Sequence, residues 1–323
     1  MKRRNTSLTD ILPVCTLLIV VVVFSIVSGG RILTANNLSA VLDQSLTVMI
    51  GGMGMIFVLC HGGIDLSIGS LACMSVYLSA GFLMNYGIAA TLSGAIVIGT
   101  LVGLLTGTVV SRFKVPSFMV TVALQTGLRG ICNYLAMTKG VLIATPGMQV
   151  FNQLPVKIPV VLILLAITWY VFEYTRLGKY SKAIGENELC SSISGINVPL
   201  IKTIDFMISG GICGVTGLFM MARTGGVSNM LGKGFEMRVI LALLLGSVPV
   251  VGGMDSKMFK VIIGALTVLM LENGLSVSGI TGGLYQLIEG IMLVVVCVAT
   301  TMAKKYSALR DEKLMLQVKA EEG

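Results

Sequence analysis

The stretch from Leu66 to Ser111 contains no charged side chain. An α-helix crosses the hydrocarbon core of a bilayer with about 20 mostly apolar residues, so this stretch is long enough for two such helices. Asn85, Tyr86 and Gly87 divide it. Across all 323 residues, 12% are charged and 55% hydrophobic, and the mean hydropathy is +0.93. Soluble domains carry about 25% charged residues, so these values exclude a soluble protein and predict a polytopic membrane protein.

The apolar runs are continuous rather than alternating, which favours helices over a transmembrane β-barrel. We predict an all-α, polytopic transmembrane helical bundle of about ten spans that forms a single domain over residues 1–323. Residues 1–10 form a tail at the N-terminus and residues 304–323 a tail at the C-terminus. The predicted spans are 11–29, 41–60, 66–85, 88–110, 118–137, 158–174, 201–222, 236–252, 260–278 and 284–303.

The positive charges indicate how the bundle is oriented. With a cytoplasmic N-terminus, most of the 23 Lys and Arg residues fall in cytoplasmic segments, as is usual for membrane proteins. This distribution predicts an even number of spans with both termini cytoplasmic. The net charge of +8 therefore reflects topology rather than nucleic acid binding. The apolar run from Ile11 to Ser28 exceeds the roughly 7–15 residues of a signal-peptide core, so we expect it to remain as the first span.

Few residues suit catalysis or metal binding. His61 is the only histidine, and the seven cysteines form no CxxC pair, so neither a metal site nor a Ser-His-Asp set is plausible. The glycine-rich segment 226–233 has the wrong spacing for a P-loop, and Gly234 stands where Ser or Thr is required. We therefore expect no cofactor and no ATP hydrolysis by this chain.

The first distinctive string covers residues 61–70, HGGIDLSIGS. Gly62 and Gly63 allow the chain to turn at positive φ. Asp65 can then cap the next helix by accepting hydrogen bonds from its first free N–H groups. A break that shapes a substrate path is the functional alternative, and the residues by themselves favour the tight turn.

The second string is PSFMVT at residues 116–121, followed by Arg129 and Gly130. A charge at the depth of Arg129 costs about 2.5–3.5 kcal/mol on insertion scales, so we expect its side chain to face protein, water or a carboxylate. A structural ion pair and a contact with substrate remain equally open. The candidate partners are Asp43, Asp205, Glu272 and Glu289.

The third string lies in the polar segment 174–197, which we predict to be a short cytoplasmic helix between two turns. It is either a solvated loop or a docking surface for a cytoplasmic partner. The fourth string comprises Gly234 to Arg238 and the later glycines Gly246, Gly252 and Gly253. Glu236 and Arg238 are expected to form a polar cluster at the outer face, and the glycines to permit close helix crossing.

Together, the four strings resemble the permease subunits of bacterial ABC importers for simple sugars, the ribose-type branch. The resemblance runs in order from about Leu38 to Val298. The family pattern GGIDLSVGS matches residues 62–70 except at Ile68, and PSFIVT matches residues 116–121 except at Met119. The loop patterns T-x-x-G-R, A-I-G-x-N-E and S-G-I-N-V correspond to residues 175–179, 183–188 and 194–198.

Three departures from the family pattern leave the implied fold intact. Ser247 and Ser256 replace glycines that are usual there, and Cys190 with Ser191 replaces an alanine pair. They leave the particular sugar open.

The resemblance implies an ABC importer permease fold in the bacterial inner membrane. Its implied partners are a second permease subunit, a pair of cytoplasmic ATP-binding subunits and an extracytoplasmic sugar-binding protein, in addition to the lipid membrane and without nucleic acid. The expected ATPase-coupling residues are Gly185, Glu186, Asn187 and Glu188. The residues expected to line the translocation path or to be structural are Asp65, Thr121, Gln125, Arg129, Asn133, Glu272 and Asn273.

The intramembrane charges bear on the class of substrate. A path for anions needs unpaired cations, and only Arg129 qualifies. Neutral polar side chains suit the weak, replaceable hydrogen bonds of a passing sugar, so we expect a pentose, hexose or related polyol. The main alternative is an ion- or proton-coupled secondary transporter, for which Asp43, Glu272 and Glu289 are candidate residues. An intramembrane enzyme is a weaker alternative because a catalytic set is missing.

Overall fold

The computed structural model describes residues 8–280, 282–295, 298 and 302, and the predicted all-α fold is confirmed. Two short strands, β1 (Leu142–Ile143) and β2 (Gly226–Val227), pair antiparallel. Short 3-10 helices cover Arg31–Leu33, Met84–Tyr86 and Val150–Asn152. The α-helices are α1 (Leu8–Val27), α2 (Ala35–Leu59), α3 (Ile68–Leu83), α4 (Ile88–Arg112), α5 (Ser117–Lys139), α6 (Pro146–Gln149), α7 (Leu154–Tyr174), α8 (Arg176–Glu186), α9 (Glu188–Ile193), α10 (Val198–Thr224), α11 (Phe235–Leu245), α12 (Met258–Val277) and α13 (Gly283–Val295).

Within the described residues, seven helices are long and apolar enough to cross a membrane: α1 to α4, α7, α10 and α12. α5 has a suitable length of 23 residues, but Gln125, Arg129 and Asn133 make it too polar to count among them. α13 is a shorter apolar helix within the predicted span 284–303. Most of the remainder of that span lies outside the described residues, as do residues 1–7 of the predicted N-terminal tail and the whole tail 304–323.

The prediction of a span at 236–252 is wrong. α11 has 11 residues and ends at Leu245, which gives a length of about 16 Å, roughly half of the bilayer core. The sequence misleads here because the residues after α11 are also apolar. Pro249 cannot continue a helix because it lacks the backbone N–H, and Ser247 adopts a φ of 57°.

Helices α2, α3 and α10 form the centre of the bundle, and α1, α4 and α7 lie at its periphery. α2 is buried on several sides because its glycines leave room for neighbouring elements. Gly51, Gly52 and Gly54 face α11, α12 and α10, respectively. The centre is therefore built on close helix approach, as small residues allow in membranes.

Glycines also bring α4 against α10 along most of their length. A Cβ atom on Gly99 would lie 2.1 Å from the carbonyl oxygen of Gly210, and one on Gly210 would lie 2.2 Å from the carbonyl oxygen of Gly99. Gly103 and Gly214 make equally close approaches to backbone atoms. Because the obstructing atoms are backbone, a larger residue can be accommodated only if the two helices separate.

We predict that Gly99→Ala lowers the free energy of unfolding by about 1–3 kcal/mol, the usual cost of overpacking. The matched control is Gly127→Ala on α5, where an added Cβ would meet nothing within 4 Å. The control is expected to be neutral or slightly stabilising, because Ala favours helix more than Gly does. Thermal unfolding in detergent measures both changes, and equal midpoints for the two variants would contradict the close approach.

A buried ion pair joins α2 to α7. The Lys157 ammonium is fully buried and lies 2.7 Å from Asp43 Oδ1 and 2.8 Å from the Asp43 carbonyl oxygen. Arg223 Nε lies 3.7 Å from Asp43 Oδ2. Asp43, which the sequence offered both as a partner for Arg129 and as an ion-coupling acid, therefore neutralises Lys157.

Removing one member of a buried pair leaves the other charge uncompensated and typically costs about 3–5 kcal/mol. We therefore expect Asp43→Asn to lower the free energy of unfolding by about this amount. The double variant Asp43→Asn/Lys157→Met removes both charges and is expected to be more stable than Asp43→Asn alone. Unfolding midpoints in detergent test the order, and a double variant less stable than Asp43→Asn would argue against the pairing.

Candidate functional site

One face of α5 lines a cavity of about 1170 Å³. Gln125, Arg129 and Asn133, all expected on the translocation path, follow each other at intervals of four residues and therefore share one helix face. The opposite wall comes from the segment 229–236 and from Gln286. The full lining is Gln125, Thr126, Arg129, Gly130, Asn133, Asn229, Met230, Lys233, Gly234, Glu236 and Gln286.

Arg129 is held by backbone carbonyls rather than by a carboxylate. Its Nη1 donates to the carbonyl oxygens of Asn229 and Leu231, both at 2.9 Å. Of the alternatives for Arg129, the structure shows a contact with protein backbone in place of an ion pair, because the loop after α10 presents carbonyl groups at the depth of the arginine. Three of the predicted partners bond elsewhere: Asp43 to Lys157, Asp205 to Ser181, and Glu272 to Arg238.

The other two polar residues on this face of α5 bond to the same segment. Gln125 Nε2 donates to Glu236 Oε1 at 2.7 Å, and Asn229 Nδ2 donates to Asn133 Oδ1 at 3.1 Å. Glu236 is buried, and its second oxygen has no hydrogen-bond partner among the described residues. Gln125, Arg129 and Asn133 are thus hydrogen-bonded to the non-helical residues 229–231 and to Glu236 at the start of α11.

Asn229 and Lys233 line the cavity although no sequence motif pointed to them, and Glu236 lies here and not in the expected cluster with Arg238. In the structure, Arg238 instead pairs with Glu272, its Nε lying 2.6 Å from Glu272 Oε1. The available signal was the run of glycines from Gly225 to Gly234, several of which adopt positive φ. Positive φ at these glycines allows the chain to turn back after α10.

Thr121 and Asp65 lie apart from this cavity, at the turn between α2 and α3. Thr121 Oγ1 donates to the Ile64 carbonyl oxygen at 3.2 Å. Asp65 Oδ1 accepts from the Ser67 N–H at 2.9 Å and from the Ser67 hydroxyl at 2.6 Å. Burial raises the pKa of the Asp65 carboxyl.

The predicted capping by Asp65 is wrong in detail. α3 begins at Ile68 with Ser67 as its N-cap residue, so Asp65 stabilises the turn before the helix instead of the free N–H groups of the helix itself. Of the two glycines expected at positive φ, only Gly62 adopts it, at 80°.

Glu272 and Asn273 line a second cavity of about 310 Å³. Asn273 Oδ1 accepts from Asn37 Nδ2 at 2.7 Å, and Glu272 is the partner of Arg238 described above. The predicted path residues therefore fall into three groups, of which only Gln125, Arg129 and Asn133 share the large cavity. Among the described residues, no group of His, Cys, Asp and Glu is arranged to hold a metal ion.

The short helix predicted within the polar segment 174–197 is confirmed as α8, and the shorter α9 follows it. Gly185 is on α8 and Glu186 ends it, with the Glu186 carboxylate accepting the Met254 N–H at 2.8 Å. Asn187 caps α9 through Cys190 N–H, and Glu188 pairs with Lys202 at 2.7 Å.

Three apolar side chains close to these residues are exposed. Leu189 is 70% exposed, Ile193 79% and Leu200 53%. They form an exposed apolar surface on α9 and the first turn of α10, which is hereafter called the α9 surface.

Comparison with known proteins agrees with this architecture. The family model described as "Branched-chain amino acid transport system / permease component" matches residues 37–297. The ribose import permease protein of Haemophilus influenzae is 30% identical, with 87% of this chain and 90% of the relative covered. The D-allose transport system permease protein of Escherichia coli K12 is 30% identical over 88% of each chain.

The fructose import permease protein of Rhizobium meliloti is 26% identical, with 92% of this chain and 86% of the relative covered. No solved structure matches significantly. The four strings that resembled sugar permeases all lie within residues 37–297, the region matched by the family model. This chain therefore belongs to the family of ABC importer permeases, multi-pass proteins of the inner membrane.

Proposed function

We propose that this chain is the permease subunit of an ATP-driven importer and that it translocates a pentose, a hexose or a related polyol. The observation that carries this proposal is the chemistry of the α5 cavity. Neutral amides from Gln125, Asn133 and Asn229 accompany one arginine that is already bonded to carbonyl groups. Such groups offer exchangeable hydrogen bonds to hydroxyl groups without holding a charged molecule.

The charges in the cavity argue against a cationic cargo. Arg129 and Lys233 contribute two positive charges and Glu236 one negative charge, and Arg129 Nη1 donates to two backbone carbonyl oxygens. A cation would therefore meet a lining with one net positive charge. The printed names of the relatives, ribose, fructose and D-allose permeases, support a sugar.

A second permease subunit completes the path in this proposal. Met119 and Met137 of α5 are exposed, and the same helix carries the polar residues Gln125 and Arg129. A helix of this polarity is poorly suited to lipid. We therefore place the partner subunit against α5, so that the cavity becomes enclosed between the two copies or between two related chains.

Energy comes from separate ATP-binding subunits at the cytoplasmic face. In this proposal residues 1–323 form one permease domain with both termini cytoplasmic, and α8 and α9 dock on the ATPase through Gly185, Glu186, Asn187 and Glu188. The α9 surface supports this placement because exposed apolar side chains outside the bilayer mark interaction sites. An extracytoplasmic binding protein delivers the sugar at the opposite face.

The secondary transporter is less well supported. It requires acidic residues that are free to bind a coupling ion, whereas two of its three candidates, Asp43 and Glu272, are ion-paired to Lys157 and Arg238, and only Glu289 forms no ion pair among the described residues. Both carboxylates therefore have structural partners.

The substrate class is tested with vesicles that contain this chain together with its ATPase and its binding protein. Labelled ribose, fructose, allose, leucine and calcium are offered separately, with and without ATP. We expect ATP-dependent accumulation of at least one sugar and none of leucine or calcium. Uptake of leucine or calcium with no sugar uptake would contradict the substrate class, and uptake without ATP would support the secondary transporter.

The docking surface is tested at Ile193, because its side chain is mostly exposed and its loss leaves the fold intact. Ile193→Asp places an unpaired carboxylate in the interface, where a central residue is worth about 2 kcal/mol or more. We expect the ATPase to bind roughly 30-fold more weakly, with normal membrane insertion. Glu186→Lys is a poorer probe because Glu186 also binds the Met254 N–H.

Co-purification of the ATPase in detergent measures this binding. Ile193→Leu keeps an apolar side chain of similar volume and serves as the control, which is expected to bind as wild type does. Wild-type binding by Ile193→Asp would remove Ile193 from the interface.

A further inference from the structure

The turn between α2 and α3, residues 60–67, touches the cytoplasmic helix α8 on one side. The Cys60 carbonyl oxygen accepts the Gly253 N–H at 2.8 Å. Gly185 of α8 packs directly on the same carbonyl, because a Cβ on Gly185 would lie 2.0 Å from that oxygen. The loop after α11 is fastened to α8 as well, through Met254 N–H and Glu186. α8 therefore cannot approach the membrane without displacing the turn.

The other side of the turn is bonded to α5. The Ile64 N–H donates to Ser117 Oγ at 3.0 Å, and Thr121 Oγ1 donates to the Ile64 carbonyl oxygen at 3.2 Å. Both hydroxyl groups lie in the first two turns of α5. Farther along this same helix are Gln125, Arg129 and Asn133, which line the large cavity. One residue of the turn is thus hydrogen-bonded through both of its backbone groups to the cavity-lining helix.

A third contact lies between these two. His61 Nε2 is 3.9 Å from Asp205 Oδ2, and Asp205 Oδ1 accepts from the Ser181 hydroxyl of α8 at 3.0 Å. Burial, reinforced by the positive charge of Lys202, lowers the pKa of His61 to about 3, so its imidazole is neutral at physiological pH. Neither His61 Nε2 nor Asp205 Oδ2 has a hydrogen-bond partner within the described part of the chain.

Two buried polar atoms that face each other without bonding are costly to leave apart. A shift of the turn toward α10 by about 1 Å would bring them within the usual range of a hydrogen bond. A second arrangement, in which His61 bonds to Asp205, would therefore need a movement of only about 1 Å. Coupling between distant sites requires such an element with two discrete arrangements.

We propose that the α2–α3 turn transmits the movement of α8 to α5, with Ser117 and Thr121 as positioning residues. Thr121 then acts on the cavity through α5 and does not contact the cargo. The proposal rests on the proposed function, in which α8 and α9 dock on the ATPase. Movement of α8 displaces the Cys60 carbonyl, and Ile64 carries this displacement to the start of α5.

The test compares variants of the complete transporter in vesicles, with labelled ribose, fructose and allose supplied together. The quantity measured is sugar accumulated per ATP hydrolysed. Ser117→Ala/Thr121→Val removes both bonds to Ile64, and we expect the ratio to fall by about fivefold or more, the lower end of typical coupling between sites. ATP hydrolysis itself is expected to continue, because the α9 surface is untouched.

The matched control is Thr138→Val, also on α5, because the Thr138 hydroxyl bonds only within its own helix, to Tyr134 and Leu135 carbonyl oxygens. We expect it to keep the wild-type ratio. Thr121→Ser retains the hydroxyl and is also expected to keep the ratio. An unchanged ratio in the double variant, or a fall of equal size in Thr138→Val, would overturn the proposal.

Two further measurements cover the cases in which the double variant does not assemble or the wild-type complex transports no sugar. If the double variant does not assemble, Gly185→Ala alters the contact on the α8 side, because the added Cβ would meet the Cys60 carbonyl oxygen, and an unchanged ratio there counts against the turn. If the wild-type complex moves none of the three sugars, the proposed substrate class fails. The turn is then judged by the ATP-dependent change in distance between spin labels at Lys179 and Met137, which the double variant is expected to abolish and Thr138→Val to preserve.

Discussion

The bundle depends on how one guanidinium group is accommodated within the membrane. An arginine on a spanning helix is costly unless protein or water surrounds it. Arg129 meets this requirement through the carbonyl oxygens of Asn229 and Leu231, so the chain after α10 cannot leave the bundle directly. It folds back beside α5 and starts the short α11 at that depth. The cavity wall follows from this interaction, whereas α11 ends early because of Pro249 and the positive φ of Ser247.

Close helix approach supplies the rigid frame around the cavity. α4 and α10 meet through glycines that leave no room for a Cβ atom, and α2 uses three further glycines against α10, α11 and α12. Without a hydrophobic driving force between helices in lipid, this dispersion contact at short range holds the bundle together. The polar contacts then determine which helix faces which cavity. The buried Lys157–Asp43 pair fixes α7 on α2, and the Arg238–Glu272 pair fixes α11 on α12.

The polar groups of the turn between α2 and α3 differ from those around the cavity in what they contact. The cavity groups bond within the cavity wall, whereas the turn packs on α8 and hydrogen-bonds to α5 and to the loop after α11. The string HGGIDLSIGS therefore has a role in addition to connecting α2 to α3. Its carbonyl and amide groups join the segment proposed to meet the ATPase to the helix that lines the cavity, which explains why so polar a string stands between two apolar helices.

Apolar runs by themselves determined the class of protein and the bounds of most membrane helices, and the polar segment 174–197 between them indicated the helix α8, because burial in lipid and helix formation depend on local sequence. Four strings in register were enough for the family. The sequence also brought Gln125, Arg129 and Asn133 together, since residues four apart share a helix face. Only the tertiary structure decided the partners of Arg129, the shortness of α11 and the separation of Thr121, Asp65 and Glu272 from the cavity. Each of these depends on where a loop distant in sequence places its backbone groups, and no local pattern encodes that position.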